Sequence, residues 1–293
     1  MCFSNLVVYI SMGKAYQTFN LVSKDGTVLR GHCWRPAGYP VATLCLVHGI
    51  GEHGGRYNDW ALRFSGQGIM VYSLDYRGHG KSEGKRGHIN SLFDLLDDIG
   101  ALIKHCKRNW IDLPCFIYGH SMGGNLVLNY LDLRRQDFTG GIISSPWLKL
   151  SNPPKAVLQK LVKYLDFILP AFRFSTGFKA GQMTSTPNET EEADKDPFMH
   201  SFISVRMFNE LNKSSERLLS NQVKIEVPLL LFHGECDSIT SAEGSFQFYN
   251  KHIANCSFCT YADCLHEIHR DVIADDLFDD IIVWMREKIA SNK

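Results

Sequence analysis

The sequence predicts an α/β fold in which a mostly parallel sheet is covered by helices on both faces. Short, continuous apolar runs of strand length recur along the chain, as at 41–47, 69–74 and 115–118, with helical patterns between them. Such runs are typical of strands buried on both faces, and their alternation with helices is typical of parallel strands. The chain has 293 residues and is 44 % hydrophobic, so we expect one large core with an insertion.

The first two predicted strands are antiparallel. Residues 16–20 and 27–35 flank Asp25-Gly26, a dipeptide that favours the tight turn of a hairpin. In chain order, the elements predicted after this hairpin are a strand at 41–47, a helix at 57–67, a strand at 69–74, a helix at 92–107, a strand at 115–118, a helix at 125–131, strands at 140–146, 227–232 and 257–261, and a helix at 275–289.

The alternation is interrupted between residues 147 and 224, where we find helical stretches and polar loops but no strand. Residues 155–174 hold more large apolar side chains than one face of a surface helix requires. They form either a helix pair packed on the core or a lid whose apolar inner face meets an apolar substrate. Residues 184–196 are expected to form a solvated loop. We therefore divide the chain into a core at 1–146, a helical cap at 147–224 and a second core part at 225–293.

Charge and cysteine usage limit the partners and the compartment. Lys plus Arg and Asp plus Glu both number 31, without a basic stripe, so neither nucleic acid nor an anionic membrane surface is an expected partner. Nine cysteines, an odd number, favour reduced thiols and a cytoplasmic protein. Residues 1–10 are apolar, lack a basic leader and are too few to span a membrane, so we interpret them as a leader or an edge segment.

The segment Gly119-His120-Ser121-Met122-Gly123 has the G-x-S-x-G pattern of a nucleophile elbow, with a predicted strand before it and a predicted helix after it. Ser121 on such a sharp turn has strained dihedral angles, and side chains at 119 and 123 would collide with neighbouring backbone. About one chain in ten of this length contains the pattern by chance, so the neighbouring sequence must decide whether it forms a nucleophile elbow.

The segments after later strands supply the partners that a nucleophilic serine needs. In this architecture the acid follows the serine and the histidine comes last. Asp237 lies directly after an apolar strand and is the predicted orienting acid, with an ordinary turn residue as the alternative. Asp75 precedes the serine and is expected to tie down its own loop. His266 follows the last strand and is the predicted base, ahead of His269 one helical turn further.

The negative oxygen formed during acyl transfer needs two N–H donors. Met122 supplies one by its position after the nucleophile. Ile50 follows His48-Gly49 in the glycine-rich segment after a predicted strand, and it is expected to supply the other. A simple tight turn is the alternative interpretation of His48-Gly49.

Five motifs span nearly the whole chain from about Tyr16. They are HGIGEHGGRY at 48–57, DYRGHGKSEGKRGH at 75–88, GHSMGG at 119–124, HGECD at 233–237 and LHEIH at 265–269. Together they resemble the monoacylglycerol lipase and lysophospholipase-like branch of the α/β-hydrolases. The resemblance implies the α/β-hydrolase fold, with residues 147–224 as the inserted helical cap.

The resemblance also implies a role for each site residue. The nucleophile, orienting acid and general base would be Ser121, Asp237 and His266. The oxyanion donors would be the N–H groups of Ile50 and Met122. The residues at the polar end of the pocket, where a glycerol-like alcohol sits, would be Glu52, Arg56 and His269. Neither a cofactor nor a metal ion is implied.

Cysteines near the predicted base allow two further hypotheses. Cys256, Cys259, Cys264 and His266 have a zinc-like spacing, but the expected buried strand at 256–261 would point Cys256 and Cys259 to opposite faces. Cys236 and Cys264 adjoin the predicted acid and base. We therefore expect thiol reagents to inhibit by crowding the site.

The sequence predicts a carboxylic ester hydrolase that works through an acyl-enzyme, with a monoacylglycerol or a lysophospholipid as its substrate. A short-acyl esterase, a thioesterase or an aminopeptidase on the same fold are alternatives. A non-catalytic lipid-binding module is an alternative of another class. We further expect a cytoplasmic protein whose cap makes transient, peripheral contact with membranes.

Overall fold

A computed structural model describes residues 15–291, so the prediction for residues 1–10 lies outside the described range. The strands are β1 Tyr16–Val22, β2 Val28–Trp34, β3 Ala42–Val47, β4 Ile69–Leu74, β5 Cys115–His120, β6 Gly140–Ser144, β7 Arg173–Ser175, β8 Phe202–Ser204, β9 Leu229–Gly234 and β10 Cys256–Tyr261. The helices are α1 Asn58–Gly66, α2 Leu92–Asn109, α3 Met122–Arg134, α4 Ala156–Ile168, α5 Pro187–Lys195, α6 Val205–Leu218, α7 Ala242–Lys251 and α8 Ala274–Ser291.

Eight strands form one sheet in the order β1-β2-β4-β3-β5-β6-β9-β10. β1 and β2 form the predicted antiparallel hairpin, and β2 pairs antiparallel with β4. The remaining neighbours are parallel. Every residue of β3, β4, β5, β6 and β9 is buried, which explains their continuous apolar runs. The predicted mostly parallel α/β sheet is confirmed.

Helices cover both faces of the sheet. On one face, α2, α3 and α6 bury side chains such as Leu96, Leu126 and Leu211 in one apolar cluster. On the other face, α1 and α8 bury side chains such as Phe64 and Ile281 in a second cluster. The parallel strands therefore end together at one edge of a sandwiched sheet, where ligands bind in open α/β folds.

The prediction that residues 147–224 contain no strand is wrong, since β7 and β8 pair antiparallel there. Each has only three residues, too few to show an alternating pattern, and the two partners lie far apart in the sequence. The predicted loop at 184–196 is also wrong, because α5 occupies most of it. α5 begins with Pro187 in its first turn, a position that tolerates proline.

The helix pair predicted at 155–174 is a single helix, α4, followed by β7. α4 packs against α6, and Val162 is its only buried residue. Leu165 is partly buried against the core, but most of the other apolar side chains of α4 face solvent, so the core-packing interpretation is wrong for them. Val157 is 80 % exposed and Phe167 is 89 % exposed. α6 is the better-packed part of this region, because it adjoins the core helices α2 and α3.

Within residues 15–291, no helix is both long enough and apolar enough to cross a membrane.

Candidate active site

Ser121 lies on the sharp turn between β5 and α3. Its backbone angles are φ 55° and ψ −118°, a strained conformation for a residue with a side chain. A Cβ atom at Gly119 would lie 2.4 Å from the Gly123 carbonyl oxygen, and one at Gly123 would lie 2.2 Å from the Val47 carbonyl oxygen. The two glycines of the motif are therefore required by the close packing of backbone, as the steric argument predicts.

Asp237 and His266 come together from the segments after β9 and β10. His266 Nδ1 lies 2.6 Å from Asp237 Oδ2. Because the carboxylate accepts, Nδ1 carries the hydrogen and Nε2 is left to take a proton. Burial alone would lower the pKa of His266, but the charge of Asp237 and the hydrogen bond to it outweigh burial and raise that pKa.

The Asp237 carboxylate accepts further hydrogen bonds on both oxygens. Oδ1 accepts the N–H groups of Ile239 (2.8 Å) and Thr240 (3.0 Å). Oδ2 accepts the Thr240 hydroxyl (2.8 Å) and lies 3.1 Å from His233 Nε2. Burial would raise the pKa of Asp237, but His266 and the hydrogen bonds from the two histidines lower it overall. The carboxylate is therefore ionised and held in one orientation.

Two residues that support the predicted acid and base were missed in the sequence. His233 opens the HGECD motif that ends with Asp237. A histidine at that position could have been identified from the sequence as a possible partner of the acid. Ser145 gave no signal. Its backbone is strained, with φ 42°, and its hydroxyl donates to the His266 carbonyl oxygen at 2.9 Å.

Ser121 and His266 line one small cavity, together with Ile50 and Glu52 of the core. Phe178, Met183 and Met199 cover this cavity from the segment between β6 and β9. Its volume is about 20 Å³, room for about one water molecule. A lipid substrate therefore enters only after the covering segment moves.

The Ser121 hydroxyl makes no hydrogen bond with another described residue. Such contacts are often loose without substrate and tighten when substrate binds. The ring of His120, the residue before the serine, lies 4.7 Å from the His266 ring between centroids. Burial lowers the pKa of His120 to about 4, so this ring is neutral and adds no charge beside His266.

The predicted oxyanion donors have unused hydrogens. Within residues 15–291, the backbone N–H groups of Ile50 and Met122 donate to no acceptor. The loop that carries Ile50 is fixed by Glu52, whose Oε1 accepts the Gly49 N–H at 2.5 Å and the Tyr57 hydroxyl at 2.7 Å. Both N–H groups are therefore free to bind a negative oxygen near Ser121.

Of the three residues expected at the polar end of the pocket, only Glu52 lines the serine cavity. Arg56 lies behind it and donates to Glu52 Oε2 at 3.0 Å and to both oxygens of Glu267 at 2.5 and 2.9 Å. These bonds and the Arg56 charge outweigh burial and keep the pKa of both carboxyls below the usual range. His269 is buried against Tyr57, with ring centroids 5.0 Å apart, and lines a neighbouring cavity of about 250 Å³.

Asp75 ties down its own loop, as predicted. Its Oδ2 accepts the Lys81 N–H at 2.8 Å, and its Oδ1 accepts the Gly54 N–H at 2.9 Å. The carboxylate thus joins the loop after β4 to the loop after β3, which carries Ile50.

The zinc-like spacing does not form a metal site among the described residues. β10 is an edge strand with exposed positions, which corrects the prediction of a buried strand. Cys256 is buried and Cys259 is exposed, as expected for opposite faces. Cys236 is exposed, but Cys264 is buried. Of the two cysteines beside the predicted acid and base, only Cys236 is therefore open to reagents.

One group in residues 15–291 has a spacing that suits a metal ion. The sulfur atoms of Cys45, Cys106 and Cys115 lie within 4.8 Å of one another and are all buried. Contact among these thiols, with burial, raises the pKa of Cys45 and Cys106, the latter to about 12. Hydrogen bonds from Cys106 and Cys45 lower the pKa of Cys115, whereas the protonated thiols of Cys45 and Cys106 pack beside it as small hydrophobic side chains.

Comparisons with known proteins agree with this architecture. The sequence profile of the Hydrolase_4 family, described as serine aminopeptidase, S33, matches residues 38–272. An uncharacterized abhydrolase domain-containing protein of Dictyostelium discoideum is 33 % identical over 278 residues, which are 94 % of this chain and 29 % of that protein. This chain thus spans less than a third of the Dictyostelium protein.

Two lipases match over most of their length. The monoglyceride lipase of Homo sapiens is 28 % identical over 280 residues, covering 93 % of this chain and 91 % of the human protein. The crystal structure of Paleococcus ferrophilus monoacylglycerol lipase is 30 % identical, with a TM-score of 0.80, and the match covers 89 % of this chain and 99 % of the other.

Proposed function

Since this chain belongs to the Hydrolase_4 family of α/β-hydrolases, we propose that it is a lipase-type serine hydrolase of carboxylic esters, with a monoacylglycerol as its substrate. The observation that carries the proposal is the strained Ser121 in one cavity with His266, which is paired to the buried Asp237 carboxylate. The matched monoglyceride lipases support the choice of substrate.

Ser121, His266 and Asp237 act as nucleophile, base and orienting acid. Ser121 Oγ attacks the ester carbonyl while His266 Nε2 takes its proton, and Asp237 stabilises the resulting imidazolium. The N–H groups of Ile50 and Met122 bind the negative oxygen, each lowering the barrier by about 3 to 4 kcal/mol. His266 returns the proton to the leaving alcohol, and a water molecule then repeats the sequence on the acyl-enzyme.

The cavity lining combines apolar side chains that suit an acyl chain with carboxylates that suit a glycerol head. Phe178, Met183, Met199 and Ile239 provide apolar contacts, whereas Glu52 and Glu267 provide carboxylates. Carboxylates accept hydrogen bonds from hydroxyl groups and repel phosphate. A monoacylglycerol therefore fits better than a lysophospholipid.

Arg56 and His269 act on the alcohol end from behind this lining. Arg56 pairs with Glu52 and Glu267, and so fixes the carboxylates that meet the head group. His269 packs behind Tyr57, whose hydroxyl donates to Glu52. Of the residues expected to bind the alcohol, Glu52 makes the direct contact.

The exposed face of α4 contacts membranes and delivers the lipid. Val157, Tyr164 and Phe167 are 80 %, 65 % and 89 % exposed, and Lys160 and Lys163 on the same helix are also exposed. Apolar patches of this kind are rare on monomers unless they bind something, and flanking lysines suit lipid headgroups. The protein is therefore peripheral to membranes, and residues 147–224 act as its cap. Its free cysteines favour the reducing cytoplasm as its compartment.

A hydrolysis panel tests the substrate. Purified protein is offered monoacylglycerols of increasing acyl length, a lysophospholipid, an acyl thioester and an aminoacyl amide, with Ser121→Ala as the control. We expect the highest kcat/KM on a monoacylglycerol. Hydrolysis of short-chain esters alone, or of the amide in preference, would overturn the substrate assignment.

Vesicle binding tests the role of α4. Flotation with phosphatidylcholine vesicles, with and without phosphatidylserine, compares the wild type with a Val157→Ser, Phe167→Ser double variant. Loss of two apolar side chains should weaken binding by at least about tenfold. Ile111→Ser is the matched control, because Ile111 is 79 % exposed but lies in the loop before β5. Equal binding by all three proteins contradicts the proposal.

A further inference from the structure

The Asp237 carboxylate is shared by two histidines. His233, near the end of β9, is fully buried, and its Nε2 lies 3.1 Å from Asp237 Oδ2. The same oxygen meets His266 Nδ1 at 2.6 Å. The mechanism requires only one of these rings, so the second needs its own explanation.

The contacts of His233 determine which nitrogen carries its hydrogen. Nε2 faces Asp237 Oδ2 and the Thr240 carbonyl oxygen, also at 3.1 Å, and both atoms only accept. Nε2 therefore donates. Nδ1 lies 2.8 Å from the hydroxyl of Ser245, which is fully buried on α7. When that hydroxyl donates to Nδ1, it fixes the neutral tautomer that keeps the hydrogen on Nε2.

From this geometry we infer that His233, held by Ser245, is a positioning residue that orients the Asp237 carboxylate and limits how strongly it attracts the His266 proton. The inference rests on the proposed function of Asp237 and His266. A leucine or phenylalanine at position 233 would suit an apolar strand as well as histidine does. What the imidazole adds is a donor aimed at the oxygen that faces His266.

The physical effect follows from charge. A hydrogen bond from His233 withdraws negative charge from Oδ2 and is among the causes that lower the pKa of Asp237. Without this donor, Oδ2 attracts the His266 proton more strongly, so His266 stays protonated to a higher pH. The carboxylate also loses one of the contacts that fix its plane, and the base becomes less precisely oriented.

Other titratable groups surround this pair, but they do not mediate the effect. The His120 ring lies 4.7 Å from that of His266, and the carboxylates of Glu52 and Glu267 add negative charge near it. Within residues 15–291, none of these three groups hydrogen-bonds to His233. A substitution of His233 therefore changes the donor to Asp237 and leaves their contacts in place.

The test compares His233→Phe, which removes the donor, with His233→Gln, which keeps an amide donor. Hydrolysis of a monoacylglycerol is measured against pH and normalised to active sites titrated with a fluorophosphonate. For His233→Phe we expect kcat to fall by at least about tenfold with KM nearly unchanged. We also expect the acid limb of kcat/KM to move to higher pH. His233→Gln should recover most of kcat, and its acid limb of kcat/KM should lie at the same pH as in the wild type.

Two further variants keep the test informative if His233→Phe folds poorly. Ser245→Ala leaves the imidazole in place but frees its tautomer, so we expect a smaller loss of kcat. His252→Gln, a half-buried histidine beyond α7, is the control and should leave kcat unchanged.

A merely structural role would lower the melting temperature and leave kcat per site and the pH profile as in the wild type. That result for His233→Phe and Ser245→Ala would overturn the inference while the wild type stays active. An inactive, unlabelled wild type would instead refute the proposed function.

Discussion

Gly123→Ala is the sharpest test of the elbow geometry. The added Cβ would lie 2.2 Å from the Val47 carbonyl oxygen and 2.6 Å from that of His48, and both atoms belong to backbone. Cβ contacts shorter than 3.0 Å are essentially never seen, so the first must lengthen by at least 3.0 − 2.2 = 0.8 Å. The strand end that leads to Ile50 would then move away from Ser121.

A displacement of this size has a calculable effect on rate and stability. A shift of about 1 Å between reacting groups costs about 100-fold in rate. Overpacking costs about 1 to 3 kcal/mol, which lowers the melting temperature of a chain this long by about 2 to 5 °C. We therefore expect kcat/KM on a monoacylglycerol to fall about 100-fold while the protein still folds.

Gly66→Ala is the matched control for this prediction. A Cβ at Gly66, in α1, would meet no heavy atom within 4 Å, and alanine favours helix. We expect its activity to equal that of the wild type and its melting temperature to be equal or higher. A Gly123→Ala enzyme that keeps kcat/KM within about threefold of the wild type would show that the elbow does not require glycine at position 123.

Three further predictions concern the buried charges. Asp237→Asn should lower kcat/KM by about 10⁴, because an amide facing Nδ1 selects the wrong tautomer of His266; the exposed Asp112→Asn control should retain full activity. In the wild type, Asp237 raises the pKa of His266, and only neutral His266 accepts the Ser121 proton. kcat/KM should therefore rise with pH through a pKa above that of an ordinary histidine. An acid limb with a pKa below that of an ordinary histidine would count against the pairing of Asp237 with His266. Arg56→Met should lower the free energy of unfolding by about 3 to 5 kcal/mol, since Glu52 stays buried without its cation and Glu267 keeps only Arg270, at 3.8 Å. In urea titrations this loss of stability should be largest at neutral pH and should shrink as the carboxyls become protonated. A loss that does not change with pH would contradict the prediction that buried carboxylates cause it.

The sheet and the positions of Ser121, Asp237 and His266 could be predicted because they depend on local sequence and on the order of the strands. A strand buried on both faces must be continuously apolar, so β3, β4, β5 and β9 are visible as runs. The glycines around Ser121 are dictated by contacts within a few ångströms of the turn. Asp237 and His266 follow strands, and neighbouring parallel strands end at the same edge, so their proximity follows from topology.

Features that depend on tertiary contacts were not predictable. β7 and β8 are stabilised by each other and are too short to show a pattern. The exposure of α4 was misjudged because its sequence fits a buried helix as well as an exposed apolar one. The donors to Asp237 include Thr240 and His233. His233 could be noticed from its place in the HGECD motif, but whether either side chain points toward the carboxylate depends on the backbone path of the loop that carries Asp237. Arg56 was expected to contact substrate. Instead it pairs with Glu267, which lies 211 positions away in the sequence, so local sequence could not indicate the pairing.

Labelling with a fluorophosphonate tests whether Ser121 is the nucleophile of an ester hydrolase. We predict one label per folded chain, on Ser121 by peptide mapping, with parallel loss of monoacylglycerol hydrolysis. Ser121→Ala should melt at the wild-type temperature and take no label. A folded wild-type protein that stays unlabelled, or carries its label on another residue, would show that Ser121 is not the nucleophile.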